Sequence, residues 1–197
     1  MLTRRCILIP LALLAAETAL AQANLKPDTT PRVPPQPGQG LPAEDRRFLE
    51  RALNLSRAEV DATKLAADKA SDARVKVLAT ELAREHARLV EALGEHASRY
   101  KVQLPQPASR AAWGRDLESL AISSGGQFDR EYISWQLRTH LALVDLYQTQ
   151  ASHSPDADLA KFAITTLAEI KPRFETLKRI GAEQGLRVET VGQPPQY

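Results

Sequence analysis

Three side chains with metal-binding chemistry, Glu59, His86 and His140, lie at helical spacing within largely apolar stretches of the sequence. Each occupies the apolar stripe of its own predicted helix, near the middle of that helix. One carboxylate and two imidazoles suit zinc, copper or iron, and three such ligands leave a coordination position open. The sequence therefore offers one candidate site, for a single transition metal, and predicts no other cofactor.

The same three residues also have a structural interpretation, which the sequence favours. Imidazoles in a helical core are commonly hydrogen-bonded to each other, to a carboxylate or to a buried water. We also place two other polar residues in the core, Glu85 beside His86 and Arg173 on the stripe of the last helix. A guanidinium near Glu59 would neutralise that carboxylate and repel a metal ion, or would instead hold an anionic ligand.

Other catalytic centres lack their sequence signatures. No Glu-x-x-His pair occurs, which argues against a ferritin-type di-iron centre, and no Cys-x-x-Cys-His motif is present for haem attachment. There is no Gly-x-Ser-x-Gly sequence, and the single cysteine, Cys6, lies near the start of the chain. We therefore expect no catalytic activity and assign no catalytic residue.

Four segments carry apolar residues at the period of an amphipathic helix. These predicted helices cover residues 43–70, 72–100, 128–151 and 157–185. Because the break between the first two is very short, they should pack antiparallel. Glu59 lies 12 residues before Ser71 and His86 lies 15 after it. At about 1.5 Å per residue their heights then differ by only about 4–5 Å, so that the two side chains could meet.

The connection over residues 101–126 is too long for an ordinary turn in a compact domain. We predict a crossover that contains one short helix within residues 108–122 and ends in the loop pair Gly125-Gly126. Pro172 lacks an amide hydrogen, so we predict a kink or a break in the last helix. The fold predicted is an all-α four-helix bundle, with either an up-down-up-down or a ferritin-like crossover topology.

The first residues predict export from the cytoplasm. Residues 1–23 combine Arg4 and Arg5, an apolar core and small residues, as in a signal peptide cleaved after Ala21 or Ala23. Residues 24–42 contain six prolines and predict a flexible arm. The folded domain would then span residues 43–185 in the periplasm, followed by a flexible tail over 186–197.

The charge pattern excludes some partners. The chain has 26 basic and 24 acidic residues, which are interleaved, so no basic patch for nucleic acid is predicted. After the predicted signal peptide, no segment is long and apolar enough to span a membrane. The partners we expect are another envelope protein or a small ligand.

Several short stretches together resemble a bacterial family of exported, ferritin-like four-helix proteins of unknown function. The matching stretches are residues 45–49, 56–60, 79–86, 126–132 and 139–140. The family typically carries Asp-His in its second and third helices and a further His in the fourth. Here these positions are Glu85-His86, Thr139-His140 and Arg173, so a three-histidine site would be incomplete. The resemblance implies the fold and export, and it implies no activity.

Together these observations predict a periplasmic four-helix bundle with a non-catalytic binding or envelope-maintenance role. One alternative is a redox protein with a mononuclear metal site at Glu59, His86 and His140. A second alternative is a scaffold that binds a partner through its proline-rich arm.

Overall fold

The computed structural model describes residues 40–104 and 114–192. The predicted signal peptide, the predicted arm up to residue 39, part of the crossover and residues 193–197 lie outside these ranges. The helices are α1 (Ala43–Lys69), α2 (Ala73–Arg99), α3 (Gly114–Ile122), α4 (Gly125–His153) and α5 (Ala157–Glu183), followed by a 3-10 turn over Val188–Thr190. Within the described ranges there is no strand, and the predicted all-α class is confirmed.

The order of the helices is that of a ferritin-like crossover bundle. Helix α1 packs against α2, and α4 packs against α5. Asp45 at the start of α1 accepts hydrogen bonds from Gln150 and Ser154 at the end of α4. Asp129 at the start of α4 accepts from the backbone amides of Ser71 and Asp72, just before α2. Helices α2 and α4 therefore run parallel, and the chain between them joins opposite ends of the bundle.

The predicted extra helix within the crossover is α3, which lies at the end of the bundle where α1 finishes. The Lys69 ammonium at the end of α1 donates to the carbonyl oxygens of Ala121 and Ser123. Leu117 and Leu120 of α3 are buried in the core. In the described part of the chain, no helix combines the length and the apolar character needed to cross a membrane.

The apolar core has two halves. One half contains Leu49, Leu93 and Tyr147, and the other contains Leu82, Trp135 and Leu177. On each of α1, α2 and α4 the change from one half to the other falls at a polar residue near mid-length. The polar residues at this level are Glu59, His86, Gln136, Thr139 and His140, and all are buried. The bundle thus carries a polar layer between two apolar halves.

The structure decides two predictions about helix boundaries. At Pro172 a kink or a break was predicted, and the break is excluded because α5 is continuous through this residue. Proline removes one hydrogen bond there, but Ile170 and Phe174 on either side are buried, and their packing keeps the helix together. Gly125 and Gly126, predicted to end a loop, instead form the first turn of α4, where Gly125 adopts a positive φ of 59°.

The predicted flexible tail is packed against the bundle as far as it is described. Gly185, with a φ of 71°, ends α5, and the amide of Leu186 donates to the carbonyl of Gly181. This is the hydrogen-bond pattern of a Schellman motif, which turns the chain back toward the helix. Leu186 and Val191 are buried, and Arg138 of α4 donates to the carbonyl of Val191.

We predict that the buried Asp129 carboxylate is the main tie between α4 and the α1–α2 turn. It accepts hydrogen bonds from both amides of this turn and from the Ser71 hydroxyl. Asp129→Ala should lower the free energy of unfolding by about 2–4 kcal/mol, because three donors at the α1–α2 turn lose their shared carboxylate acceptor. Urea denaturation followed by circular dichroism measures the change.

The control is Asp158→Ala, which removes an exposed acid that makes only a surface ion pair with Arg99. Its effect should stay within about 0.5–1 kcal/mol. Equal effects of the two substitutions would show that Asp129 has no special role in joining these elements.

Candidate metal centre

The structure brings together the three residues that the sequence selected as possible ligands. Glu59 of α1, His86 of α2 and His140 of α4 have relative exposures of 0%, 3% and 1%. One ligand atom from each residue can be chosen so that all three lie within 4.8 Å of one another. Among residues 40–104 and 114–192, this is the only such group of three His, Cys, Asp or Glu side chains.

Glu59 is held through one of its carboxylate oxygens. The amide nitrogen of Gln136 donates to Glu59 Oε2 at 2.7 Å and to the hydroxyl of Tyr132 at 3.0 Å. The other oxygen, Oε1, is buried and has no hydrogen-bond partner among the described protein groups. One oxygen of the carboxylate is therefore fixed by a hydrogen bond, and the other is available to bind a ligand.

The two imidazoles meet edge to face. Their ring centroids are 5.8 Å apart, with an interplanar angle of 88°. His140 Nδ1 lies 3.2 Å from the backbone oxygen of Gln136 and 3.6 Å from Glu59 Oε1. The contact with the carbonyl favours a proton on Nδ1, which leaves Nε2 of His140 with the lone pair that binds a metal.

The structural interpretation predicted core histidines with satisfied hydrogen bonds, and the described protein groups satisfy only part of the cluster. His140 Nδ1 contacts the backbone oxygen of Gln136. In contrast, His86 Nδ1, Glu59 Oε1 and Gln136 Oε1 are buried without a hydrogen-bond partner among the described side chains and backbone. Buried polar atoms are nearly always paired, so three unpaired atoms in one cluster need an explanation. A ligand shared by the cluster would supply one.

Burial sets the charges of the three groups. It raises the pKa of Glu59 to about 8, although the hydrogen bond from Gln136 opposes this shift. It lowers the pKa of His140 to about 3, with a further small contribution from the Arg173 charge. It also lowers the pKa of His86 well below the ordinary value, aided by His140 and Arg173. Near neutral pH and without a metal, both imidazoles are uncharged and Glu59 holds a proton, which metal binding would displace.

Arg173, for which the sequence left open either neutralisation of Glu59 or binding of an anionic ligand, forms its ion pairs with two other carboxylates. Its guanidinium lies between α5 and α2, where it pairs with Glu81 at 2.7 Å and grips both oxygens of Glu85. Glu85 and Arg173 are partly exposed and do not belong to the buried core. Two carboxylates pair with the guanidinium, although its charge still contributes to the lowered pKa values of both histidines.

A cavity of about 230 Å³ opens between α2 and α5 and reaches the imidazoles. Its walls are partly apolar, with Leu89, Phe162 and Ile170, and its inner surface includes His86 and His140. The cluster is therefore buried but can be reached from the groove between these two helices.

Sequence reasoning missed Tyr132 and Gln136, which carry the hydrogen bonds of the site. Both are fully buried on α4, and they precede His140 by eight and four residues. This spacing places all three on one face of the helix. This spacing can be read from the sequence, but a glutamine at the edge of an apolar stripe usually faces solvent, because glutamine is mostly exposed in folded proteins.

The sequence matches the family described as a domain of unknown function, DUF4142, over residues 30–180. The chain belongs to the DUF4142 family. This result confirms the predicted membership of a family of unknown function. No curated protein matches the sequence.

Solved structures share the fold of this DUF4142 protein at low sequence identity. A DUF305 fragment from Deinococcus radiodurans has 12% identity and a TM-score of 0.64, covering 74% of this chain and 99% of its own. A candidate secreted DUF305 protein from Streptomyces coelicolor has 14% identity and a TM-score of 0.61, covering 74% and 96%. CopM in its Cu(I)-bound form has 20% identity and a TM-score of 0.61, covering 71% and 96%. These likenesses support the four-helix fold.

We predict that the metal-free DUF4142 protein loses stability as the pH rises from 6.5 to 8. The pKa of Glu59 is about 8 in the folded state and near 4.5 in the unfolded state, so between these values only the folded protein keeps the proton. Unfolding then releases a proton, and the free energy of unfolding falls as pH rises. The lowered pKa values of the histidines act in the opposite direction, chiefly below about pH 7, where the unfolded histidines take up protons.

The net decrease between pH 6.5 and 8 should be about 1 kcal/mol, because deprotonation of folded Glu59 lowers the free energy of unfolding by about 1.6 kcal/mol and deprotonation of the two unfolded histidines raises it by about 0.8 kcal/mol. Urea unfolding in the presence of a chelator measures it. Glu59→Gln should remove the decrease in this interval, because an amide does not titrate. A wild-type profile that is already flat would contradict the buried, protonated state of Glu59.

Proposed function

We propose that this DUF4142 protein binds one transition-metal ion through Glu59, His86 and His140, in a non-catalytic binding role outside the cytoplasm. The observation that carries the proposal is that three buried ligand groups offer atoms within 4.8 Å of one another. In addition, Glu59 Oε1 and His86 Nδ1 have no hydrogen-bond partner among the described protein groups. A divalent ion would satisfy the free atoms of Glu59 and His86 together. The cavity at the imidazoles supplies a path of entry.

The donor set favours Cu(II) or Zn(II). The only methionine and the only cysteine of the chain are Met1 and Cys6, so from residue 7 onward no sulfur ligand is available. Two imidazoles and one carboxylate suit divalent copper and zinc, whereas Cu(I) prefers thiolate or thioether ligands. A copper redox role would need a site that binds both Cu(I) and Cu(II) well, and this donor set suits only Cu(II).

The likeness to CopM, whose structures hold Cu(I) and Cu(II), is a likeness of fold and makes copper a sensible first ion to test. A location outside the cytoplasm is supported by the signal-like residues 1–23. The scaffold hypothesis concerns the arm before residue 40, outside the described residues, and it stays a prediction.

Copper titration of chelator-treated protein tests the proposal. We expect one equivalent of Cu(II) per chain in calorimetry, with Zn(II) competing for the same site. The double variant His86→Gln, His140→Gln should weaken binding by more than about 100-fold, since even supporting residues of a metal site commonly contribute 10–100-fold.

The matched control is His153→Ala, which removes an exposed histidine at the end of α4 and should leave the affinity unchanged. Circular dichroism checks that each variant is folded. Unchanged copper affinity in the double variant, or no stoichiometric binding by the wild type, would refute the proposed site.

Gln136 should act as a positioning residue for this site. Its side chain orients Glu59 and its carbonyl oxygen contacts His140, so Gln136→Met removes the first of these restraints. Metal affinity should fall by about 10–100-fold. Calorimetry with Zn(II) measures the change.

Gln150→Met is a control of the same chemistry at a different place. Gln150 donates to the buried Asp45 carboxylate at 2.7 Å, near the end of α4, just as Gln136 donates to Glu59. Both variants should lose comparable stability, but only Gln136→Met should lose metal affinity. Equal losses of metal affinity would indicate a general effect on folding rather than positioning of the ligand.

A further inference from the structure

The proposed metal site, on which this inference rests, neutralises only half of a divalent charge. Histidines bind metals as neutral imidazoles, so Glu59 is the one anionic ligand of the three. The ion would therefore keep a net charge of +1. In a buried environment an uncompensated charge is very unfavourable, and a second anion at the metal would remove it.

One carboxylate that could serve as this anion is already held by a salt bridge. The exposed Glu169 lines the cavity that reaches the two imidazoles, and so does Glu85, which is next to His86 in the sequence. Both oxygens of Glu85 are engaged by Arg173, through Nε at 3.2 Å and through a terminal nitrogen. The other terminal nitrogen of Arg173 binds Glu81 at 2.7 Å, which anchors the guanidinium to the surface of α2. Because a guanidinium and a carboxylate match in two parallel hydrogen bonds, this pair is well suited to hold Glu85 in place.

The space beside the imidazoles is large enough for a small ligand. The cavity volume of about 230 Å³ corresponds to several water molecules, each of which occupies about 30 Å³ in the liquid. The buried Thr166 and the exposed Thr165 of α5 line it with hydroxyl groups, which can donate hydrogen bonds to an anion.

We propose that the cavity admits a small exogenous anion to the open coordination position of the metal, and that Arg173 keeps this position open by holding Glu85 away. The class of ligand is a monovalent anion of the size of azide, a halide or a short carboxylate. The anion would complete the neutralisation that Glu59 begins. The protein would then bind the metal and the anion together.

Azide is the probe, because its binding to Cu(II) produces a charge-transfer absorption band. The full mature protein is loaded with one equivalent of Cu(II), which is verified first, and is then titrated with azide. Wild-type protein should show saturable azide binding. Arg173→Gln releases Glu85 to the metal, and it should weaken azide binding by about tenfold or more and tighten copper binding, a coupling within the range for interacting residues.

The double variant Arg173→Gln, Glu85→Gln separates this mechanism from general damage. It lacks both the guanidinium and the competing carboxylate, so azide affinity should return to within about threefold of the wild type. Arg74→Gln is the matched control, because Arg74 also bridges two carboxylates, Asp72 and Glu183, but does not line this cavity. It should leave azide binding unchanged.

The outcomes distinguish the inference from the proposed function. If the protein binds one Cu(II) but no azide, the anion site is wrong while the metal site stands. If Arg173→Gln binds azide as the wild type does, the role of Arg173 is wrong. If no Cu(II) binds, the proposed function fails, and this inference fails with it.

Discussion

Three ionisable side chains buried in one polar layer constrain the rest of this structure. Charged groups are very unfavourable in an apolar interior unless they are paired or neutral. In this bundle both imidazoles are uncharged, Glu59 has a raised pKa, and Gln136 hydrogen-bonds one oxygen of the carboxylate. Apolar residues lie on either side of this layer. Glu59 Oε1, His86 Nδ1 and Gln136 Oε1 stay without a hydrogen-bond partner among the described protein groups.

The ends of the bundle keep this layer in register. Asp129 joins the start of α4 to the α1–α2 turn, and Asp45 joins the start of α1 to the end of α4. Asp156 caps α5 and accepts a hydrogen bond from Tyr100 at the end of α2. These carboxylates are buried, so shifting one helix along another would leave them unpaired. The mid-length ligands are thus positioned by contacts ten or more residues away along each helix.

The groove between α2 and α5 connects the buried polar layer with charged residues at the surface near His86. Helices α1 and α2 pack closely, as do α4 and α5, whereas α2 and α5 are bridged mainly by side chains such as Arg173 and Phe162. Small openings between helices are frequent sites for metals and ligands in bundles. The structures that share this fold include copper-bound CopM, yet the identity is low enough that the ligands must be argued from this chain alone.

Much of the architecture followed from local patterns. The period of apolar residues located α1, α2, α4 and α5 to within a few residues, because the face that a helix buries repeats along its own sequence. The same patterns selected Glu59, His86 and His140 as polar residues on buried stripes. The crossover order was left open, since both topologies use the same four helices and differ only in which ends are adjacent.

By itself, the sequence determined the helices, the faces that they bury and the family of the chain. The tertiary structure decided which polar groups pair. The sequence left open whether Arg173 pairs with Glu59 or holds an anionic ligand, and it is paired with Glu81 and Glu85. Gln136 was not expected in the site at all. Such pairings depend on the distance and rotation between helices far apart in the chain, and these quantities leave no trace in the period of a single helix.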